Sequence, residues 1–468
     1  MKRSYEIDMI NGPLLGKILR FSIPLMLSGI LQLLFNAADI VVVGQFTGSD
    51  ALAAVGSTGS LNNLIVNIFL GLSIGSSVLV AQYYGAQDWK NVQDVVHTSV
   101  LLSAVTGVVL VLVGVPLVGP LLELMGTPPE VLDQAVLYMR IVFAGMPAMM
   151  IYNFGAAILR AVGDTRRPLL FLFIAGLINV GLNLFFVIVF HMGVSGVALA
   201  TVISQCISAA LVLLCLSRSS ASYKLYWKQL RITKDKLLQI VRIGLPAGLQ
   251  GALFSVSNVL IQSSINSFGY IAVAGNTAAS NIEGFVYTSM NALYQASLSF
   301  TSQNAGARRV ERIVPVLTRC LGCVIAIGVG LSALALLLGR MLLGIYSPDP
   351  QVIQYGMGRM SVVCATYFLC GMMDVVCGSI RGLGYSITPT IVSLTGACGL
   401  RILWIYTIFI WHRSLFSLYL SYPVSWVITF TADLICFIVF FRRWKQKTLA
   451  EQPMPLSASQ EKEPAVIS

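Results

Sequence analysis

Asp39 stands inside FSIPLMLSGILQLLFNAADIVVVG, residues 21–44, an apolar run long enough to cross a bilayer. A carboxylate at that depth costs about 2.5–3.5 kcal/mol on insertion scales, so an acid kept there is a functional candidate by default. Further along, LINVGLN places Asn179 and Asn183 four residues apart, on one face of a helix. Thr201, in ALATVIS of the next apolar run, joins them. One carboxylate, two amide carbonyls and a hydroxyl make an all-oxygen set that suits a hard cation such as Na⁺, and the same pocket can instead hold a protonated Asp39. The plainer alternative is that these groups only hydrogen-bond neighbouring helices together.

The second half of the chain has two more acids within apolar runs, Glu283 and Asp374. Arg140, Arg359 and Arg401 are the intramembrane cations. Arg140 and Arg359 are expected to snorkel toward the outer interface, and Arg401 to lie deep enough to pair with Glu283 or Asp374. Glu283 has a second reading, as a polar cavity wall or the partner of Arg359 or Arg401. Gln32, Asn36, Asn62, Tyr152, Asn153, Tyr287, Met290, Tyr294 and Tyr367 are candidate cavity surfaces. Aromatic and Met linings suit flat hydrophobic cations, although each such residue also serves as ordinary packing.

These residues need a membrane around them. The chain has 468 residues, of which 56% are hydrophobic and 10% charged, and its mean hydropathy is +0.82; soluble domains carry about 25% charged residues. The expected fold is an all-α polytopic membrane protein, because barrel strands would be short and alternating in polarity. Twelve spans are expected, in 16–44, 51–82, 93–120, 130–159, 168–190, 194–216, 238–267, 272–303, 313–343, 352–380, 387–411 and 415–441. The first run is too long for a signal-peptide core and lacks an obvious small-residue cleavage site, so it is expected to remain as a span. Pro24 removes a helix hydrogen bond within it, and a bend is expected there.

The net charge of +11 reflects topology rather than nucleic-acid binding. Lys17 and Arg20 precede the apolar run that starts at Phe21 in the first span, Arg160, Arg166 and Arg167 follow the fourth, Arg308, Arg309 and Arg312 the eighth, Arg381 the tenth, and Arg442 and Arg443 the last. The opposite connections carry Asp50, Glu123, Glu130 and Asp349. By the positive-inside rule both termini are cytoplasmic, in a multi-pass protein of the cell membrane. All nine cysteines lie in or beside apolar spans and read as small buried hydrophobes, not as a zinc site or disulfides. With three histidines and no phosphate-binding loop, an enzyme is not expected, nor is a structural metal or prosthetic cofactor.

Comparison of the chain with itself reveals a duplication. Arg20 and Pro24 match Arg242 and Pro246 at an offset of 222, as Asn36 and Phe46 match Asn258 and Phe268. Gln82, Gly85 and Ala86 then match Gln303, Gly306 and Ala307 at 221, and Arg160, Gly163, Pro168 and His191 match Arg381, Gly384, Pro389 and His412. Six spans per half put the halves in the same orientation, an arrangement that places transport sites near the midplane. The expected division is an N-terminal lobe (1–216), a cytoplasmic linker (217–237), a C-terminal lobe (238–447) and a disordered tail (448–468). Pro24 and Pro246 are the expected hinges. The acid is not duplicated, since Asp39 falls opposite Ile261; Glu283 and Asp374 fall opposite Asn62 and Asn153.

Taken together, the kinked first helix with Pro24 and Asp39, the Gln-x-x-Gly-Ala element ending spans two and eight, and Arg-x-x-Gly after spans four and ten resemble the multidrug and toxic compound extrusion (MATE) family, from about Leu14 to Phe441. The resemblance implies a secondary antiporter that exports amphipathic, cationic small organic molecules in exchange for H⁺ or Na⁺ by alternating access. It supports the grouping of Asp39, Asn179, Asn183 and Thr201 as the coupling-cation site, and gives Asp374 a functional role. Many members also carry a Glu eight residues after the span-seven proline; Phe254 stands there, followed by Ser255, so that acid pair is broken and Glu283 is its candidate substitute. The partners expected are a small-molecule substrate and the bilayer, for a chain acting as a monomer. The alternatives are a lipid-linked glycan flippase of the same superfamily, which would favour extra spans and a cavity rich in Arg and Lys, and, more remotely, a channel or a non-transporting membrane protein.

Overall fold

Long apolar runs with few breakers become long helices, and in the computed structural model, which describes residues 5–451, no strand occurs among the described residues. The first six rods are α1 (Leu14–Phe46), α2 (Ser49–Gly85), α3 (Trp89–Leu124), α4 (Pro129–Ala144 with Met146–Ala161), α5 (Arg166–Val189) and α6 (Gly193–Arg218). The second six are α7 (Lys234–Asn266), α8 (Tyr270–Gly306), α9 (Val310–Leu337), α10 (Pro350–Cys364 with Phe368–Gly382), α11 (Ile387–Trp411) and α12 (Leu415–Ala450). The two broken rods are bent by 48° in α4 and 40° in α10, at matching places in the repeat. Nine of the rods are long and apolar enough to cross a membrane on their own, and the bent pairs bring the number to eleven. The twelfth, α8, falls short because it carries Asn276, Asn281, Glu283, Asn291 and Gln295 along its 37 residues. Those polar groups belong to an inner helix rather than a lipid-facing one.

The bend expected at Pro24 is not a break. Helix α1 runs continuously through it, as α7 runs through Pro246. What distinguishes α1 is loose packing: 11% of its most apolar stretch is buried, against 61% in the inner part of α2.

The halves meet through α1 and α2 on one side and α7 and α8 on the other. At the α2–α7 crossing the backbones touch, so a Cβ on Gly71 would fall on the backbone of Gly248, and one on Gly248 would fall on the carbonyl of Ile68. At the end of the molecule that carries both helix ends Gly85 and Gly306, α2 and α8 meet so closely that each glycine lies against the backbone of Gln303 or Gln82 on the other rod. Those two glutamines form a reciprocal clasp. Gln82 Nε2 donates to the Gly382 carbonyl at 2.9 Å and Gln303 Nε2 to the Ala161 carbonyl at 2.7 Å. Each reaches from one half to the other, and the four residues are related by the same repeat offset.

The linker between the halves is not a loose tie. Tyr223 and Leu225 are buried in the core of the first half. Tyr223 Oη donates to Glu6 Oε1 at 2.8 Å, Tyr84 Oη to Glu6 Oε2 at 3.0 Å, and Arg231 pairs with Asp94 at 3.0 Å. The tail expected from residue 448 begins as the last turn of α12; from residue 452 onward it lies outside the described residues. All nine cysteine thiols are free; Cys206 is exposed and Cys320 and Cys323 are buried.

Replacing Gln82 or Gln303 by Leu leaves a buried carbonyl without its donor, a loss of about 1–3 kcal/mol. Each variant is expected to melt below wild type in detergent micelles, and an unchanged midpoint for both contradicts the clasp.

Candidate functional site

The four residues singled out in the first half converge. Asn183 Nδ2 donates to Asp39 Oδ1 and, at 3.3 Å, to Asn179 Oδ1. Asn179 Nδ2 in turn reaches Thr201 Oγ1 at 3.4 Å, and Thr201 donates to the Val197 carbonyl at 3.0 Å. The i, i+4 spacing on α5 puts both amides on one face, and α1 and α6 supply the groups at either end of the chain. Asn183 Oδ1 is buried and accepts no hydrogen bond among the described residues. Asp39, Asn179 and Thr201 line a pocket of about 120 Å³, while Asn183, with its unpartnered amide oxygen, is buried behind that lining. Ser204, Gln205 and Ser208 of α6 add further oxygens to its wall. Sequence reasoning missed these three, although they continue the face that carries Thr201.

A larger cavity of about 630 Å³ lies between the halves. Of the candidate cavity residues, Gln32, Asn36, Asn153, Tyr287 and Tyr294 line it, together with the second-half acid Asp374 and with Asn63, Asn67, Gln250, Asn291 and Gln295. Gln32, Asn36 and Asn153 also line the smaller pocket, so the two spaces share a wall. Tyr152 belongs to the smaller pocket, its Oη donating to the Pro168 carbonyl at 3.2 Å. Three expected lining residues are elsewhere. Met290 is 1% exposed within the apolar core of the second half, Tyr367 packs between Tyr287 and Trp426, and Asn62 lies off the wall that its neighbour Asn63 joins. The lining is richer in side-chain amides than in the aromatic and Met surface expected.

Arg160 and Arg381, counted in the sequence as topology markers, are part of this wall. Arg381 is 4% exposed, donating to Tyr294 Oη at 2.9 Å, Gln250 Oε1 at 2.7 Å and Thr390 Oγ1 at 3.2 Å. It ties α7, α8, α10 and α11 together at one end of the cavity.

Glu283 lies outside the cavity. Arg359 donates to it through Nε at 3.1 Å and through Nη2 at 2.8 Å, a two-pronged buried pair, and gives Nη1 to Asn276 Oδ1 at 2.8 Å. Arg359 therefore does not snorkel. It is 5% exposed, because an acid on α8 awaits it and the rings of Tyr419 and Tyr422 flank it. Arg140 is exposed. Arg401 reaches neither Glu283 nor Asp374; its Nε donates to Ser425 Oγ at 3.0 Å and its guanidinium lies on Tyr422 and Trp426. One acid escaped the sequence reading altogether. Asp433 on α12 is fully buried, and neither carboxyl oxygen has a hydrogen-bond partner among the described residues. Its signal was an Asp in the middle of the last apolar run.

Two halves of one kind, a cavity between them and a polar pocket in one half define the architecture, and the sequence pattern of the MatE family matches it twice, at residues 24–185 and 246–407. The chain belongs to the MatE family. It is a multi-pass membrane transporter whose two family segments are the two halves described above. The probable multidrug resistance protein YoeA of Bacillus subtilis is 27% identical over 438 residues, which cover 92% of this chain and 94% of that protein. A FAD transporter of Shewanella oneidensis is 24% identical over 396 residues, 82% of this chain and 86% of its own. The outward-facing conformation of a multidrug resistance MATE family transporter shares the fold with a TM-score of 0.88 at 22% identity, over 95% of this chain and 100% of that one.

Breaking the Glu283–Arg359 pair strands a buried charge, which costs about 3–5 kcal/mol, whereas removing both charges costs far less. Arg359→Ala is expected to lower the melting midpoint strongly and the double variant Glu283→Gln with Arg359→Met to recover most of it. A single variant as stable as wild type contradicts the pairing.

Proposed function

We propose that this MatE transporter is a secondary antiporter of the cell membrane, with both termini cytoplasmic, that exports amphipathic cationic small organic molecules in exchange for inward H⁺ or Na⁺. The observation that carries this reading is the wall shared by the two cavities at Gln32, Asn36 and Asn153. A ligand in the central cavity and a cation at Asp39, Asn179, Asn183 and Thr201 then act on the same side chains. Asp374 and the faces of Tyr287 and Tyr294 give a cationic substrate its attraction.

In the outward-open form a cation enters the N-lobe pocket and neutralises Asp39. The sparse burial of α1 lets that helix shift, with Pro24 and Pro246 as the compliant points of α1 and α7. The shift narrows the central cavity and displaces substrate outward. Release of the cation on the cytoplasmic side resets the cycle, so cation and substrate favour different states, as exchange requires. The chain performs this as a monomer, since each half supplies its own walls to the cavity. Arg160 and Arg381 in the same cavity favour a second reading, an anion-bearing substrate of the kind for which the Shewanella relative is named.

The deciding experiment is efflux from proteoliposomes under pH and Na⁺ gradients imposed separately, with a dye cation and FAD as alternative cargoes. Wild type is expected to exchange the dye under at least one gradient, and Asp39→Asn to lose at least about tenfold of gradient-driven exchange. Normal exchange by Asp39→Asn under both gradients refutes the assignment, and transport of FAD alone moves the substrate to the second reading.

A further inference from the structure

At the repeat position of the N-lobe pocket the second half carries different side chains, and two helical irregularities decide which ones stand there. Pro168 and Pro389 enter α5 and α11 at an offset of 221, and His191 and His412 follow them at the same offset. Between these points each rod takes one π turn, at a different depth: Leu394–Gly399 in α11 and Phe185–Val189 in α5. A π turn accommodates one extra residue. Helix α11 therefore gains its residue early and α5 late, so that between the two turns the offset is 222. Asn179 then stands opposite Arg401, not Leu400. Burial follows the same register, since Ala175, Gly176 and Asn179 are buried in α5 and Ala397, Cys398 and Arg401 in α11.

Arg401 also engages the matching surface of the next rod. Asn179 reaches Thr201, beside Ser204 and Gln205 of α6; at an offset of 221 these are Tyr422, Ser425 and Trp426 of α12. Arg401 touches all three. Its Nε donates to Ser425 Oγ at 3.0 Å, and its guanidinium carbon lies 4.3 Å from the Tyr422 ring centre and 5.5 Å from that of Trp426. It is 4% exposed. The place of Asp39 is taken by Ile261, which is buried in an apolar cluster with Met373, Ala397, Tyr422 and Trp426. Tyr422 carries Arg359 on its ring as well, and Glu283 answers only Arg359. Among the described residues, two guanidiniums thus lie on the Tyr422 ring and Glu283 forms an ion pair with only one of them.

We propose that the Arg401 guanidinium is a tethered cation, filling the C-lobe counterpart of the N-lobe pocket so that this half is permanently loaded and only the N-lobe exchanges its cation during transport. A cation held by a hydroxyl and two aromatic faces is stabilised much as a free one would be. Being covalently attached, it cannot leave, and the half it occupies has no empty state to cycle through. Arg401 is thus a positioning residue, and the last clause of the proposal rests on the exchange reading above.

The test is chemical rescue in proteoliposomes. Arg401→Ala is expected to slow cation-driven dye exchange by at least about tenfold. Millimolar guanidinium is expected to restore it, and urea, a neutral molecule of the same shape, is not. Equal exchange by Arg401→Ala and wild type, or equal rescue by urea, overturns the proposal. A second readout needs no transport: guanidinium, and not urea, is expected to raise the melting midpoint of purified Arg401→Ala while leaving wild type unchanged, and no difference between the two solutes overturns it. If wild type shows no cation-driven exchange, the antiport reading fails and the melting comparison still decides whether this half holds a cation. Should Arg401→Ala not purify as a monodisperse protein, Arg401→Lys is expected to retain most of the exchange that Arg401→Met loses; equal rates for the two overturn the proposal.

Discussion

Inside a bilayer there is no water to answer a charge, so every ionised side chain must find its partner within the protein or carry that partner in and out with it. The two halves of this transporter meet that constraint in opposite ways. In the second half the answer is built in: Glu283 has the two-pronged grip of Arg359, and Arg401 rests on Tyr422, Trp426 and Ser425. In the first half Asp39 has only neutral neighbours, Asn183 directly and Asn179 and Thr201 behind it. On the exchange reading proposed above, a mobile cation is the missing answer there. The second half is not paired throughout, since Asp433 on α12 is fully buried and has no hydrogen-bond partner among the described residues.

Packing distributes rigidity in the same sense. The α2–α7 crossing, with backbones in contact through glycines, and the clasp of Gln82 and Gln303 couple the halves tightly at defined points. Helix α1, whose Gln32, Asn36 and Asp39 line the smaller pocket and whose Gln32 and Asn36 also line the central cavity, is the least buried of the nine rods that are apolar enough to span on their own. A ligand that changes the charge state of α1 therefore acts on a helix with few contacts to break. Asp39, the sparsely packed helix and the cavity wall thus fall within one stretch of chain.

Much of this was legible in the sequence because it depends on local chemistry. Apolar run length gave the rods, duplicated motifs gave the halves, and the spacing of Asn179 and Asn183 gave their common face. Helix α8 was found in the sequence as an apolar stretch even though its polar cavity face lowers its overall apolarity. What was not legible depends on long-range register. Arg359 looked like an interfacial arginine because nothing local shows that Glu283, 76 residues away, lies against it. Arg160 and Arg381 looked like topology markers because their position at rod ends says nothing of the cavity above them. Arg401 was expected to pair with Glu283 or Asp374, because nothing local shows that Tyr422, Ser425 and Trp426 of the next rod receive it instead. Asp433 was overlooked in a run otherwise apolar enough to read as ordinary span.

The central claim is that one exchangeable cation, held at Asp39, is displaced when substrate occupies the central cavity. It is tested most directly by counting cations released per molecule of substrate bound to purified protein, using calorimetry in buffers of different ionisation enthalpy, with and without Na⁺. The account predicts release of about one cation per substrate in wild type and none in Asp39→Asn, since a single neutralisable acid supplies it. Undiminished release from Asp39→Asn would contradict it.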